Sequence, residues 1–305
     1  MLEKILNFTI IILVPFIMVG IINKTKAFWA GRKGASIFQP LYDFIRLIKK
    51  DFVISNTTSL VFKITPIIAI TTAISAAMFV PLAFGHAIIN IPAGFIIFAY
   101  TLGLGKFFAL ISAMDTGSSF EGMGASREAC FTTIVEPAFF TIIASVMALT
   151  GNYTFDCLHK IIENAQGYGA LLTVIAVVAL FLMILIEGSR VPVDDPTTHL
   201  ELTMIHEVMI LDNCSQELAI ISYSAWAKMF LISSLIATLI LPLNLSFWVS
   251  LGAFLGIMIA ISIIIGTVES AIARLRMSHV FEFVFIMSSL ALVVASLVAL
   301  KLYGV

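Results

Sequence analysis

Apolar runs of about 20 residues recur from one end of this 305-residue chain to the other, and no feature constrains its fold more. A helix rises about 1.5 Å per residue, so such a run matches the roughly 30 Å hydrocarbon core of a bilayer. The runs fall near 5–23, 64–85, 91–114, 129–150, 168–187, 218–242, 246–268 and 280–301. Only 11% of the residues are charged, against roughly 25% in a soluble domain that must cover itself with a solvated surface. The expectation is an all-α integral membrane protein of about eight transmembrane helices, a single membrane domain over 1–305. The first apolar block begins at once and lacks a small-residue cleavage site, so it reads as the first span rather than a removable signal peptide. The net charge of -1 says nothing about nucleic acid, but no basic tail or aromatic-basic patch is present, and no nucleic-acid partner is expected.

The segment 24–63 differs in kind, holding eight of the seventeen basic residues. Within it Ile37, Phe38, Leu41, Phe44, Ile45 and Ile48 follow helical spacing, with Gln39, Asp43, Arg46, Lys49 and Lys50 as the polar complement. That pattern predicts an amphipathic helix at the membrane surface between the first two spans. Loop cations then set the orientation. Lys24, Lys26, Arg32, Lys33, Arg46, Lys49, Lys50, Lys63, Arg127, Arg190, Arg274 and Arg276 fall on one side, and only Lys4, Lys160 and Lys301 on the other. This bias places loops 1–2, 3–4, 5–6 and 7–8 in the cytoplasm, with both termini on the far side of the cell membrane.

Charges inside the spans are the candidates for function, because each costs roughly 2.5–3.5 kcal/mol to insert and so faces protein or water. Glu136 lies within span four, ahead of Pro137, and Glu269 ends span seven. Lys106 in span three and Lys228 in span six have two readings, an intramembrane charge or a side chain that snorkels to an interface. Loop 5–6 reads EGSRVPVDDPTTHLELTMIHE from Glu187 to Glu207, and mixes Glu187, Asp194, Asp195, Glu201 and Glu207 with His199, His206, Arg190 and apolar residues. Such a mixture points to burial against a partner, and crowded carboxylates that titrate as a set suit the passing of protons. Loop 3–4 carries Asp115, Glu121 and Glu128 around Arg127, and Gly117, Gly122 and Gly124 among serines predict a tight turn there. No GxxxxGK[ST] pattern exists for a nucleotide phosphate. Asp115, Glu136 and Glu187 all border spans, which leaves open a lateral hydrophilic path joining them.

Cys130, Cys157 and Cys214 are scattered and form no CxxC pair, so neither a disulfide framework nor a cysteine-ligated cluster is expected. No spacing of histidines supports a metal site.

At loops 3–4 and 5–6 the chain becomes recognisable. The stretches DTGSSFEGMGASRE (115–128) and EGSRVPVDDPTTHLELTMIHE (187–207) resemble the membrane subunit of formate hydrogenlyases and other energy-converting nickel–iron hydrogenases. That group is in turn similar to the NADH dehydrogenase subunit 1 family of respiratory complex I. The segment GRKGASIFQPLYDFIRLIKKD (31–51) looks like the same family's segment after its first span. The resemblance implies a subunit with no cofactor of its own, which anchors a peripheral arm of hydrogenase large and small subunits and iron–sulfur proteins. The nickel–iron centre and Fe–S clusters are expected in those partners, and antiporter-like membrane subunits are expected beside this chain in the lipid bilayer.

By position, Glu187 and Arg190 match the family's ExxR pair, Glu201 one carboxylate of the following acidic loop, and Glu136 the buried span-four glutamate. Asp115, Arg127 and Glu128 belong to the hydrogenase-type loop 3–4 pattern. The expected ion path is Asp115, Glu136, Glu187, Arg190, Asp194, Asp195, Glu201 and Glu207. The expected docking set is Arg32, Gln39, Arg46, Glu121, Arg127, Glu128, His199 and His206. Thr197, Thr198 and His199 stand where complex I relatives carry a denser glutamate run. The resemblance therefore points away from quinone reduction and makes the pocket beside 31–51 a docking surface. A subunit of a quinone- or sulfur-reducing relative, a stand-alone ion transporter and a purely structural anchor are the alternatives.

Overall fold

The computed structural model describes residues 2–55, 57–91, 94–151, 154–155, 158, 168–194, 205–242 and 246–302. Asp195, His199 and Glu201 lie outside the described residues. Lipid offers no hydrogen bonds, so a spanning segment must satisfy its own backbone, which a helix does. Among the described residues eight helices are long and apolar enough to cross a bilayer, and there is no strand.

The helices are α1 (Leu2–Trp29), α2 (Gln39–Ile48), α3 (Leu60–Phe79), α4 (Gly94–Asp115), α5 (Ser119–Thr150), α6 (Tyr168–Glu187), a single turn α7 (His206–Met209), α8 (Ser215–Ile240), α9 (Phe247–Ala271) and α10 (Met277–Leu302). The centre of the bundle is α8, whose apolar window is 67% buried, against 22% for α4 at the periphery. Around it pack α1, α2, α3, α6 and α9, while α10 closes against α5 and α6, and α4 lies between α3 and α5. Buried hydroxyls on α8 are satisfied: Ser233 donates to the Met229 carbonyl, and Thr238 reaches across to the Pro81 carbonyl at 3.1 Å.

Two features depart from the sequence expectation. The fourth span begins at Ser119 instead of near 129, because most of the glycine–serine stretch is helical. Only Gly117 (φ +69) supplies a turn, in the left-handed region that suits glycine. Gly124 serves a different end: a Cβ there would lie 2.8 Å from the Ile205 carbonyl oxygen, so its bareness lets loop 5–6 pack onto α5.

The second departure is in α2, which forms at the expected place but divides its apolar residues. Leu41 and Phe44 pack inward on Phe16, Tyr223 and Trp226, with the Phe16 and Phe44 rings 5.3 Å apart. Tyr42, Ile45 and Ile48 stay exposed on the other flank. Gln39 donates to Asp43 at 2.9 Å, one turn along the helix.

Candidate functional site

The intramembrane charges that the sequence leaves in separate spans meet in one place. Lys106 on α4 donates to Glu187, the last residue of α6, and to the Thr132 hydroxyl on α5 at 3.3 Å. Its amine also lies 3.8 Å from Glu136, one helical turn beyond Thr132 on the same face of α5. The side chains of Lys106, Glu187 and Glu136 are 12%, 9% and 27% exposed, so burial increases toward the Lys106–Glu187 contact. Lys106 therefore turns into the bundle and does not snorkel to an interface.

Two cavities flank this contact. One, of about 50 Å³, is bordered by Glu128, Ser189, His206 and Asn213 at its loop end, and by Lys106, Glu187 and Lys228 at its inner end. The other, of about 20 Å³, has the same three residues at its mouth and runs on to Glu136, Phe139 and Leu231. A water occupies at least about 10–15 Å³ of such space and needs polar partners. The first cavity thus has room for a short chain of waters and the second for one. Lys106, Glu187 and Lys228 form the partition between them. Lys228 makes no ion pair or hydrogen bond among the described residues, so an unpaired amine lies beside a cation that is already shared by two carboxylates.

A second cluster sits where α1, α9 and the end of α6 converge. Glu269 lies 2.8 Å from Lys26 and 3.4 Å from Arg190, and its side chain is 1% exposed. The turn after α6 separates this cluster from the first. Arg190 N–H bonds the Leu185 carbonyl and Ser189 N–H bonds the Ile186 carbonyl, a Schellman closure with Ser189 left-handed at φ 50. Glu187 consequently faces the cavities and Arg190 faces Glu269, only three residues apart.

The remaining expected residues disperse. Asp115 accepts the Ser59 N–H at 2.7 Å at the start of α3 and lines neither cavity, so a lateral path through Asp115 is not what the structure builds. Glu121 is fully buried and accepts the Asp212 N–H at 2.8 Å, which removes it from any docking face. Asp194 is buried and accepts the His206 N–H at 3.0 Å, tying together the two described ends of loop 5–6. Of that loop's apolar residues, Leu200, Leu202 and Met204 lie outside the described residues, while Ile205 and, just beyond the loop, Val208 and Met209 are buried within this chain, against α4 and α5. Glu207 lines a cavity of about 260 Å³ among α1, α2 and α8, with Asp43, Asn23 and Trp226. Arg46 and Arg32 are exposed, and Arg127 and Glu128 are half-buried.

Sequence reasoning missed Thr132 and the pairing of Lys26 with Glu269. Lys26 read as a loop cation because the apolar block ends near 23, whereas α1 runs two turns further. Among the described residues no group of three or more His, Cys, Asp or Glu side chains is placed to hold a metal ion.

The fold and site define a multi-pass membrane protein whose bundle encloses an ion-pair cluster between two small cavities. The chain belongs to the NADH dehydrogenase family, whose model matches residues 3–300. It is 27% identical to hydrogenase-4 component C of Escherichia coli over 227 residues, 74% of this chain and 70% of that one. It is 25% identical to formate hydrogenlyase subunit 4 of the same organism over 175 residues, 57% of each chain. An NADH-quinone oxidoreductase subunit of Rickettsia typhi is 22% identical over 200 residues, 65% of this chain and 58% of that one. In fold it matches a chain of the membrane-bound sulfane sulfur reductase, an archaeal respiratory membrane complex. The TM-score is 0.80 at 20% identity, covering 97% of this chain and 98% of that chain.

Proposed function

We propose that this chain is the membrane-anchoring, ion-coupling subunit of a membrane-bound hydrogenase complex of the formate hydrogenlyase kind. The observation that carries the reading is Lys106, held between Glu187 and Glu136 at the partition of the two cavities. Redox chemistry belongs in this reading to peripheral partners, whose nickel–iron and iron–sulfur centres supply it. This chain's own part is to receive a charge change at the loop end of the first cavity, near Glu128 and His206. Lys106 then shifts from Glu187 toward Glu136, which lies within ion-pair distance already. That shift exchanges the partner of each carboxylate and opens the route from the first cavity to the second. Lys228 takes up the partner that Lys106 leaves, so no carboxylate is stranded at membrane depth, where an uncompensated charge is costly.

In the same reading loops 1–2, 3–4, 5–6 and 7–8 face the cytoplasm, as the lysine and arginine bias favours. There α2 lies along the membrane surface with Tyr42, Ile45 and Ile48 toward the lipid boundary, and Arg46, Arg127 and His206 meet the peripheral arm. Antiporter-like membrane subunits would continue the path from Glu136. The cavity of about 260 Å³ under α2 favours a second reading, a subunit of a quinone-reducing relative, because Leu47, Phe44 and Trp226 with Asp43 could admit a small polar-headed ring.

The first test is to purify the complex on this chain and measure hydrogen evolution from a low-potential donor together with nickel and iron. Nickel with hydrogen evolution supports the hydrogenase reading. Iron alone, with quinone reduced instead, would replace it by the second.

A further inference from the structure

We infer that the groove where the end of α1 meets α9 is a binding site for an anionic phospholipid. Its phosphate would be held by Lys24, Arg32 and Lys33, with an acyl chain lying along α9. The inference is independent of the coupling site.

The groove has a volume of about 460 Å³ and joins those three cations to an apolar wall of Phe28, Trp29 and Ile263. No carboxylate lines it, and among the described residues none of the three cations is in an ion pair. Lys26, the fourth cation of this stretch, is already engaged by Glu269. Clustering of the three is built into the local fold. Lys24 sits more than a turn below the end of α1, and its amine reaches up to donate to the Lys33 carbonyl at 2.8 Å. This folds the turn after Trp29 back over the helix end, so Arg32 and Lys33 come down beside Lys24.

The depth of the groove selects the occupant. Trp29 donates to the Thr267 hydroxyl at 3.3 Å, which fixes the tip of α1 against α9 inside an apolar span. One and two turns deeper on α9, Ile263 and Ile259 are exposed and continue the apolar wall away from the cations. An acidic peptide from a partner would have to bring backbone polar groups to that depth without hydrogen bonds. A phospholipid places its charge on the cations and its chain on the isoleucines, and an aromatic pair such as Phe28 and Trp29 is at home at headgroup level. Basic pockets between transmembrane helices hold anionic headgroups in this way.

The test uses the intact complex in nanodiscs of phosphatidylcholine doped with phosphatidylglycerol, transferred to detergent, washed, and read by native mass spectrometry. Phosphatidylglycerol should be retained in preference to phosphatidylcholine. Retention should fall about fivefold for each cation removed in the series leading to Lys24→Gln/Arg32→Gln/Lys33→Gln. The charge-preserving variant Lys24→Arg/Arg32→Lys/Lys33→Arg should retain the lipid, as should Lys49→Gln/Lys50→Gln, which removes cations elsewhere. Equal retention of both headgroups, or a neutral triple variant that binds like the parent, would overturn the site. Displacement by soluble glycerol phosphate would reassign it to a free phosphate ligand. Absence of lipid in the complex with binding by the isolated chain would assign the groove to a partner subunit.

Discussion

The two buried charge clusters use the same residue types for opposite ends. At Glu269 one carboxylate lies between two cations, Lys26 and Arg190, and its side chain is 1% exposed. At Lys106 one cation lies between two carboxylates, cavities open on either side, and a spare lysine lines both of them. The first arrangement has one low-energy state, because moving Glu269 off Arg190, whose side chain is 4% exposed, strands a buried charge. The second has at least two states of similar composition. What separates a joint from a relay in this bundle is therefore the number of alternative partners and the room for water, and not the presence of charge.

The comparison is broken or sharpened most strongly at Glu269. Glu269→Gln should destabilise the protein by about 3–5 kcal/mol, since Lys26 and Arg190 lose their common counter-ion. The measurement is the thermal midpoint and yield of the detergent-solubilised complex, and an unchanged midpoint would show that the joint is not structural. Glu187→Gln should instead leave assembly nearly intact, because Lys106 keeps Glu136 at 3.8 Å. In proteoliposomes it should cut ion movement per hydrogen evolved by tenfold or more, about 1.4 kcal/mol or above in coupling terms.

Glu136→Gln should uncouple in the same way, and a normal gradient in both variants would remove the relay. Thr132→Val should have a smaller effect, about 1 kcal/mol, by deleting one hydrogen bond to Lys106. It should slow transport without abolishing it, and a rate equal to the parent's would show the hydroxyl to be idle. The least effect is expected at the turn between the clusters. Ser189→Gly should raise stability by about 0.5 kcal/mol, since relief of the left-handed strain is partly offset by the greater freedom of glycine in the unfolded chain. A fall in the midpoint would mean that the serine side chain matters to the turn.

Much of the fold was legible in the sequence because lipid imposes a simple rule: an apolar run of the right length is a span. The failures came where that rule is silent. Ser119–Glu128 is helical although it holds two glycines and little apolar length, because α7 and loop 5–6 pack against it. Lys26 was misplaced for the same reason, being beyond the apolar block yet within α1. The site was legible in part. Glu136 and Glu187 stood out as charges beside lipid, but Lys106 is joined to Glu187 across 81 positions of sequence. Helices apolar on every side carry no stripe to show which way a single lysine faces. Asp115 and Glu121 illustrate the converse. Their acidity suggested a path and a docking face, whereas each accepts a backbone N–H from a distant segment, Asp115 from Ser59 and Glu121 from Asp212.

The closed turn at the end of α6 has one more consequence. Residues 187–190 are tied to the end of α6 by backbone hydrogen bonds from Gly188, Ser189 and Arg190. Arg190 is anchored at Glu269, which would make that cluster a fulcrum and Glu187 the short arm of a lever. A tilt of α6 against α9 would be converted into a change in the distance between Glu187 and Lys106, with no side chain needing to rotate.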